Sequence, residues 1–192
     1  HHQPGVPYWG NGSQCDFSIA ASPTTSSSMR AAAVQRVSAQ RLGALHEALI
    51  QHYEANIAVH TRLFAGGGAM LDALAEKGVK LAVVSNKLER LCVAVLGQLG
   101  LSPRFYTIIG GDTLGPGRAK PSRDPIDAMI SRAGGGRAAF VGDTTYDIGA
   151  ARAAGVPSVA VGFGFNDIAP AELGADTVIA HFDELIPALR RL

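Results

Sequence analysis

The chain has 192 residues, of which 47% are hydrophobic and 17% charged, and its formal net charge is +1 at pH 7. This size predicts one main domain with a buried core, and the balanced charge argues against a nucleic-acid-binding protein. No apolar run approaches the roughly 20 residues that span a bilayer. Because there is neither a signal peptide nor a C-x-x-C pair, we expect a cytoplasmic monomer or weak homodimer that binds a small molecule.

Residues 1–28 differ in composition from the rest of the chain. They contain three prolines, three glycines and a polar run at 24–28, and they lack the sustained apolar period that would offset their ordering entropy. At 15–20, however, apolar residues alternate with polar ones as in a short strand. We therefore predict a poorly ordered or foreign segment at 1–28, followed by a helical segment at 29–62 and an α/β region at 63–192.

The helical segment is amphipathic. Its large apolar residues recur at three- and four-residue spacing, with charged and polar residues between them: Leu42, Leu45, Leu49 and Tyr53. Such a stripe predicts a helix that covers another surface.

In the region 63–192, short apolar runs alternate with helical segments. The predicted strands are 79–84, 106–109, 138–141, 158–161 and 177–179, and the predicted helices are 67–77, 87–99, 125–133, 145–154 and a last helix from 183. This order indicates βαβ units with right-handed crossovers and a Rossmann-like parallel sheet covered on both faces. Ligands of such sheets bind at the carboxyl ends of the strands, so the polar residues that follow each run are the candidate site residues.

The run at 138–141 is followed by Gly142 and Asp143, and Asp147 comes one helical turn later. This spacing brings two carboxylates near one point, which suits a hard cation such as Mg²⁺. Alternatively, Asp143 caps the following helix and Asp147 is a solvated first-turn acid. The spacing alone does not decide between these readings.

Ser85 and Asn86 follow the run at 79–84, where backbone N–H groups at a helix start can bind an anion. Ser85 could hold a phosphate oxygen and Asn86 could fix its orientation, although such residues are also common helix caps. Lys120 precedes Pro121 in a glycine-rich loop that could direct its ammonium inward. By itself it could equally be a solvated surface lysine.

Taken in order, Ser85, Lys120, and Asp143 with Asp147 resemble the second, third and fourth motifs of the haloacid dehalogenase superfamily. The resemblance extends over roughly residues 38–192. The segments GGDTL at 110–114, VGFGFND at 161–167 and ELGADTVIAHFDEL at 172–185 are similar to phosphoglycolate phosphatases. The resemblance implies a Rossmann-like core with a helical cap, of which 29–62 would be the remaining part.

The resemblance also implies Mg²⁺-dependent hydrolysis of a small phosphate monoester, 2-phosphoglycolate in the subgroup. An aspartate attacks the ester, an acid two residues later protonates the leaving alcohol, and water hydrolyses the aspartyl-phosphate. In this scheme Ser85 and Asn86 bind the phosphoryl group, and Lys120 offsets its charge. Asp143 ligates Mg²⁺, and Asp147 holds the metal through water or orients Lys120.

The chain departs from the family at the first motif, an apolar strand ending in D-x-D-G-T. The only acid before Glu47 is Asp16, and Ser18 stands where the general acid belongs. We therefore expect no turnover by the chain as written, with a non-catalytic phosphate- or Mg²⁺-binding protein as the alternative. In the family, the strand that carries this motif lies between the strands that end at Ser85 and Asp143. Without it, the middle of the sheet would contain a slot of unpaired backbone N–H and C=O groups, unless residues 15–20 fill it.

Two other classes fit less well. A dinucleotide oxidoreductase would need a G-x-G-x-x-G turn between strand and helix, which is absent. In a phospho-receiver domain the lysine follows the phosphorylated aspartate, whereas Lys120 precedes Asp143.

Overall fold

The computed structural model describes residues 39–57 and 61–192. These residues fall in two compact units, one containing 39–56 and the other containing 57 and 61–192. The first unit contains helix α1 (Ala39–Ala55), on which the predicted apolar stripe is exposed. The segment 1–28, the candidate strand 15–20 and Asp16 all lie outside the described residues.

The second unit alternates parallel strands with helices. The helices are α2 (Gly67–Glu76), α3 (Glu89–Gln98), α4 (Asp124–Arg132), α5 (Thr145–Ala154) and α6 (Leu185–Arg191). The strands are β1 (Ala82–Val84), β2 (Thr107–Ile109), β3 (Phe140–Gly142), β4 (Ser158–Val161) and β5 (Thr177–Ile179). Strand β1 pairs with β2, and β3, β4 and β5 pair in that order, all in parallel. The predicted α/β class with a parallel sheet is thus confirmed.

Several elements are shorter than the sequence patterns that predicted them. The run at 79–84 gives only a three-residue strand because the N–H of Val79 still closes α2, donating to the carbonyl of Leu74 at 3.1 Å. Helix α3 begins at Glu89 because Leu88 is extended, with φ −52° and ψ 137°. A four-residue turn, 85–88, therefore connects β1 to α3. None of the described helices is long and apolar enough to cross a bilayer.

Strand β4 lies at the centre of the three-stranded sheet, and all four of its residues are buried. Successive side chains of a strand point to opposite faces, and two apolar clusters cover them. One contains Val159, Val161, Leu74, Ile179 and Leu185, and the other contains Ala160, Ile148 and Leu173. Because each buried aliphatic side chain stabilises the fold by about 1.5–3 kcal/mol, this packing fixes α5, and with it Asp147, against the sheet.

A slot separates the two sheets. Among residues 39–57 and 61–192, no strand pairs with the second edge of β1 or of β3. Both strands line an apolar cavity of about 910 Å³, and Ala82 and Val141 are exposed. Within the described ranges, an apolar groove therefore lies between β1 and β3.

Candidate active site

The carboxyl ends of β1 and β3 meet the side chain of Lys120. Its ammonium donates to the carbonyl of Val84, the last residue of β1, at 3.1 Å and to Oδ1 of Asp147, in the first turn of α5, at 2.5 Å. The side chains of Lys120 and Asp147 are only 10% and 8% exposed. The ammonium also lies 5.6 Å from the ring centre of Phe140. Lys120 is thus a buried cation that connects the two sheets at the edge where ligands bind.

Asp147 is engaged through both of its carboxylate oxygens. Oδ1 accepts from Lys120, while Oδ2 accepts from the N–H of Asp143 at 3.1 Å and from the N–H and Oγ1 of Thr144 at 3.0 and 2.7 Å. Burial acts to raise the pKa of Asp147, but the charge and hydrogen bond of Lys120, followed by Thr144, bring it below its usual value. Asp147 is therefore ionised at neutral pH and is oriented towards Lys120.

The turn between β3 and α5 is built for this contact. Thr144 is the N-cap of α5, and its reciprocal bonds with Asp147 form a capping box. A Cβ at position 142 would lie 2.3 Å from Cβ of Asp147, so Gly142 is required for the close approach. The alternative drawn from the sequence, in which Asp143 caps the helix, is wrong because Thr144 is the cap.

Asp143 is half-buried directly after β3, and its Oδ2 accepts from the N–H of Phe165 at 2.7 Å. Burial, and then the charge of Asp147, raise its pKa although the Phe165 N–H opposes this. Gly164 allows the Phe165 loop to approach, because a Cβ there would lie 2.5 Å from Cβ of Asp143. Asp143 therefore carries a carboxylate whose charge the surrounding residues compensate poorly, and a nearby cation would correct this.

The loop after β4 supports this turn. Asn166 donates to the carbonyl oxygens of Asp143 and Val161 at 2.8 and 3.0 Å. Asp167 accepts from the N–H and Oγ1 of Thr145, the first residue of α5, at 3.0 and 2.5 Å. Burial acts to raise the pKa of Asp167, but its bonds with Thr145 lower it. Asn166 thus holds the loop to the turn before α5, and Asp167 holds it to the first residue of α5.

The turn 85–88 presents Ser85 at the same edge, and its Oγ accepts from the N–H of Lys87 at 3.1 Å. Asn86, which the sequence predicts to bind phosphate together with Ser85, makes two bonds to the backbone of Lys120, and its phosphate contact stays a prediction. Its Nδ2 donates to the carbonyl of Lys120 and its Oδ1 accepts from the N–H of Lys120, both at 2.9 Å. This pair of bonds joins the turn to the loop that carries the ammonium.

The described residues could supply part of the coordination shell of a magnesium ion. Asp143 offers an under-compensated carboxylate at the strand end, whereas both oxygens of Asp147 already accept bonds from protein donors. Nowhere in residues 39–57 and 61–192 do three His, Cys, Asp or Glu side chains form a metal-binding group. Mg²⁺ needs only one or two carboxylates when waters and substrate phosphate complete its octahedron. Asp143 can therefore serve as one protein ligand.

Reasoning from the sequence missed the contacts made by the loop after β2. Asp112 and Thr113 bond to Glu89 at the start of α3, which is 23 and 24 residues away. The capping box at 144–147 was also missed, although a threonine three residues before an acid at a helix start is a readable signal.

The parallel strands and the charged residues at their carboxyl edge define an α/β protein whose site can hold an anion beside a cation. The family model of haloacid dehalogenase-like hydrolases matches residues 10–161. The chain belongs to this family.

Relatives of this chain include a phosphoglycolate phosphatase of Agrobacterium fabrum, 44% identical over 147 residues that cover 76% of this chain and 62% of that protein. One from Caulobacter vibrioides is 40% identical over 79% of this chain and 64% of its own length. The crystal structure of a predicted phosphoglycolate phosphatase from Haemophilus somnus matches with a TM-score of 0.73 and 27% identity, covering 79% of this chain and 68% of that one. The predicted resemblance is thus confirmed, and the chain spans slightly less than two thirds of the length of these curated relatives.

Proposed function

We propose that the whole protein is a Mg²⁺-dependent phosphatase of a small phosphate monoester, 2-phosphoglycolate, acting through an aspartyl-phosphate. The observation that carries this is the Lys120 ammonium, buried and fixed between Val84 and Asp147 at the edge shared by β1 and β3. A preorganised, largely buried cation is suited to stabilise the charge of a transferring phosphoryl group. The names of the relatives supply the substrate. The proposal includes a cytoplasmic location and a monomer or weak homodimer.

Each residue has a separate part in this proposal. Ser85 binds a phosphoryl oxygen at the start of the turn 85–88, and Lys120 offsets the charge on the group. Asp147 holds the ammonium in place, and Asn86 fixes the backbone of Lys120. Asp143 is the ligand of Mg²⁺, which when bound supplies a further positive charge beside the phosphoryl oxygens.

For the chain as given, we propose phosphate binding without turnover, which is the second candidate function. Within the described ranges, no third carboxylate joins Asp143 and Asp147 in a metal-binding group. In this proposal Asp143 binds Mg²⁺ and Asp147 holds Lys120, so neither is the attacking aspartate. Unaided monoester hydrolysis is extremely slow, and enzymes accelerate it by as much as ~10²¹-fold, so a bound phosphoryl group without an attacking aspartate stays intact.

One experiment separates the candidates. The purified chain is titrated with inorganic phosphate in the presence of Mg²⁺ by calorimetry, and hydrolysis of 2-phosphoglycolate and p-nitrophenyl phosphate is followed in parallel. We expect phosphate binding, loss of that binding in Lys120→Met, and no hydrolysis above background. Lys80→Met is the control, because Lys80 also donates to a carbonyl, that of Ala133 at 2.8 Å, but is exposed.

The outcomes are distinct. Hydrolysis that disappears in Asp16→Asn contradicts the inactivity and makes Asp16 the nucleophile. Absence of both binding and hydrolysis refutes the phosphate site itself. Recovery of hydrolysis after a strand ending in D-x-D-G-T and the first half of the cap are added supports the phosphatase proposal for the whole protein.

A further inference from the structure

Helix α3 starts without a side-chain cap from its own sequence. Its N-cap residue is Leu88, which has no polar side chain. The cap comes instead from the loop after β2, where Oδ1 of Asp112 accepts from the N–H of Glu89 at 2.8 Å. A carboxylate at this position satisfies one of the unpaired N–H groups of the first turn and interacts favourably with the helix dipole.

The same loop contacts the turn 85–88 through its backbone. The N–H of Gly111 donates to the carbonyl of Lys87 at 2.9 Å. A Cβ at position 111 would lie 2.4 Å from the carbonyl oxygen of Asn86, and one at position 110 would lie 2.2 Å from the nitrogen of Glu89. Two glycines are therefore needed for this approach, which explains the GG of the GGDTL segment.

Thr113 closes the network. Its Oγ1 accepts from the N–H of Gly110 at 2.8 Å and donates to the carboxylate of Glu89. The turn 85–88 is thus fixed by the loop 110–113 on one flank, in addition to the bonds between Asn86 and Lys120. Within the turn, Oγ of Ser85 also accepts from the N–H of Lys87.

We propose that Asp112 is a positioning residue that keeps the turn 85–88 in the conformation that binds phosphate. This inference rests on the proposed function and extends it to a residue that does not itself touch the substrate. Without the cap, the turn would populate other conformations, and the apparent affinity for phosphate would fall by the fraction of molecules that remain competent.

The test compares Asp112→Ala with two further variants. Asp112→Asn keeps an acceptor oxygen. Asp176→Ala is the matched control, because exposed Asp176 also accepts from a backbone N–H, that of Ser158 at 2.8 Å, but at the opposite, amino-terminal edge of the sheet. For each protein, affinity for inorganic phosphate with Mg²⁺ is measured by calorimetry, stability by urea, and exchange of the Lys87 and Glu89 amides by NMR.

We expect Asp112→Ala to bind phosphate more weakly, by up to about fivefold, which is the full ~1 kcal/mol of a helix cap, with faster amide exchange at Lys87 and Glu89. The phosphate affinities of Asp112→Asn and Asp176→Ala should stay within about twofold of that of the unmodified chain. Asp176→Ala should nevertheless be less stable to urea, because it loses its bond to Ser158. Unchanged affinity in Asp112→Ala, or equal weakening in Asp176→Ala, overturns the proposal.

Failure of the proposed function gives a different result. If the unmodified chain does not bind phosphate, the phosphate site fails, and the exchange data alone decide whether Asp112 orders the turn. If Asp112→Ala does not fold, Gly111→Ala serves in its place. Its Cβ would lie 2.4 Å from the carbonyl oxygen of Asn86 and must therefore push the loop and the turn apart. Unchanged exchange at Lys87 and Glu89 in that variant counts against a positioning role.

Discussion

Replacing Lys120 with methionine removes a buried cation but keeps most of the side chain's volume. Asp147 is then a charged group, 8% exposed, without its ion-pair partner. Breaking a buried pair in this way typically costs about 3–5 kcal/mol. The three donors that remain on Oδ2 of Asp147 offset part of the loss, so we expect about 3 kcal/mol, near the lower limit of that range.

The loss depends on pH in a defined direction. In the unmodified chain the pKa of Asp147 is lowered, so its contribution to stability is complete above the unfolded pKa of about 3.9 and is lost as the pH falls through the folded value. In Lys120→Met, burial is no longer opposed by the ammonium, and the pKa of Asp147 rises. In this variant Asp147 then protonates on mild acidification, which removes the cost of burying its unpaired charge. The free energies of unfolding of the two proteins should therefore differ more at pH 7 than at pH 4.

Urea unfolding at these two pH values measures the effect. With a slope of roughly 2 kcal/mol per M, the midpoint of Lys120→Met should fall by about 1.5 M at pH 7 and by clearly less at pH 4. Arg123→Met is the control, because Arg123 pairs with Asp127 at 2.6 Å on the exposed face of α4 and should change the midpoint little at either pH. A similar loss at both pH values, or one no larger than that of Arg123→Met, refutes this account of the ion pair.

Two further predictions concern ligands. Asp143→Asn should weaken Mg²⁺ binding about tenfold more than Asp147→Asn, a difference of roughly 1.4 kcal/mol, because only Asp143 has a carboxylate that the protein leaves under-compensated. Equal losses by calorimetry argue against these roles. Asn86→Ala should weaken phosphate binding about fivefold by releasing the Lys120 backbone, whereas Asn86→Gln, which keeps the amide donor and acceptor without adding a charge, should lose less. If the two substitutions have the same effect, Asn86 does not act through that backbone.

The parts of the site that the sequence predicts are those set by strand ends. Ser85 follows its apolar run directly and Asp143 follows its run after one glycine, and parallel strands bring their carboxyl ends to one edge. The position of Lys120 could be expected only from motif order, since its loop has no strand to direct it. Local patterns therefore located the residues but did not specify their hydrogen-bond partners.

The partners depend on contacts between distant segments. Asn86 meets the backbone of Lys120 across 34 residues, and Asp112 meets Glu89 across 23. In each case a side chain bonds to a backbone group that has no partner close in sequence. Such long-range bonds produce no periodic pattern in the sequence. Strand lengths were overestimated for a related reason, because hydropathy does not reveal that Val79 still bonds to α2.

The slot and the buried lysine are connected by geometry. The ammonium of Lys120 reaches the last carbonyl of β1 and the first turn after β3, so it lies at the carboxyl end of the space between those strands. A parallel strand entering that space would pair with two edges and would end beside the ammonium. There, an acidic residue would be stabilised by the charge of Lys120 in a buried setting, where ionic contacts are stronger than at the surface. In the haloacid dehalogenase resemblance, the strand that belongs between β1 and β3 ends in the aspartate of D-x-D-G-T. Strand pairing would bring that residue beside Lys120, and the charge of Lys120 favours an aspartate there.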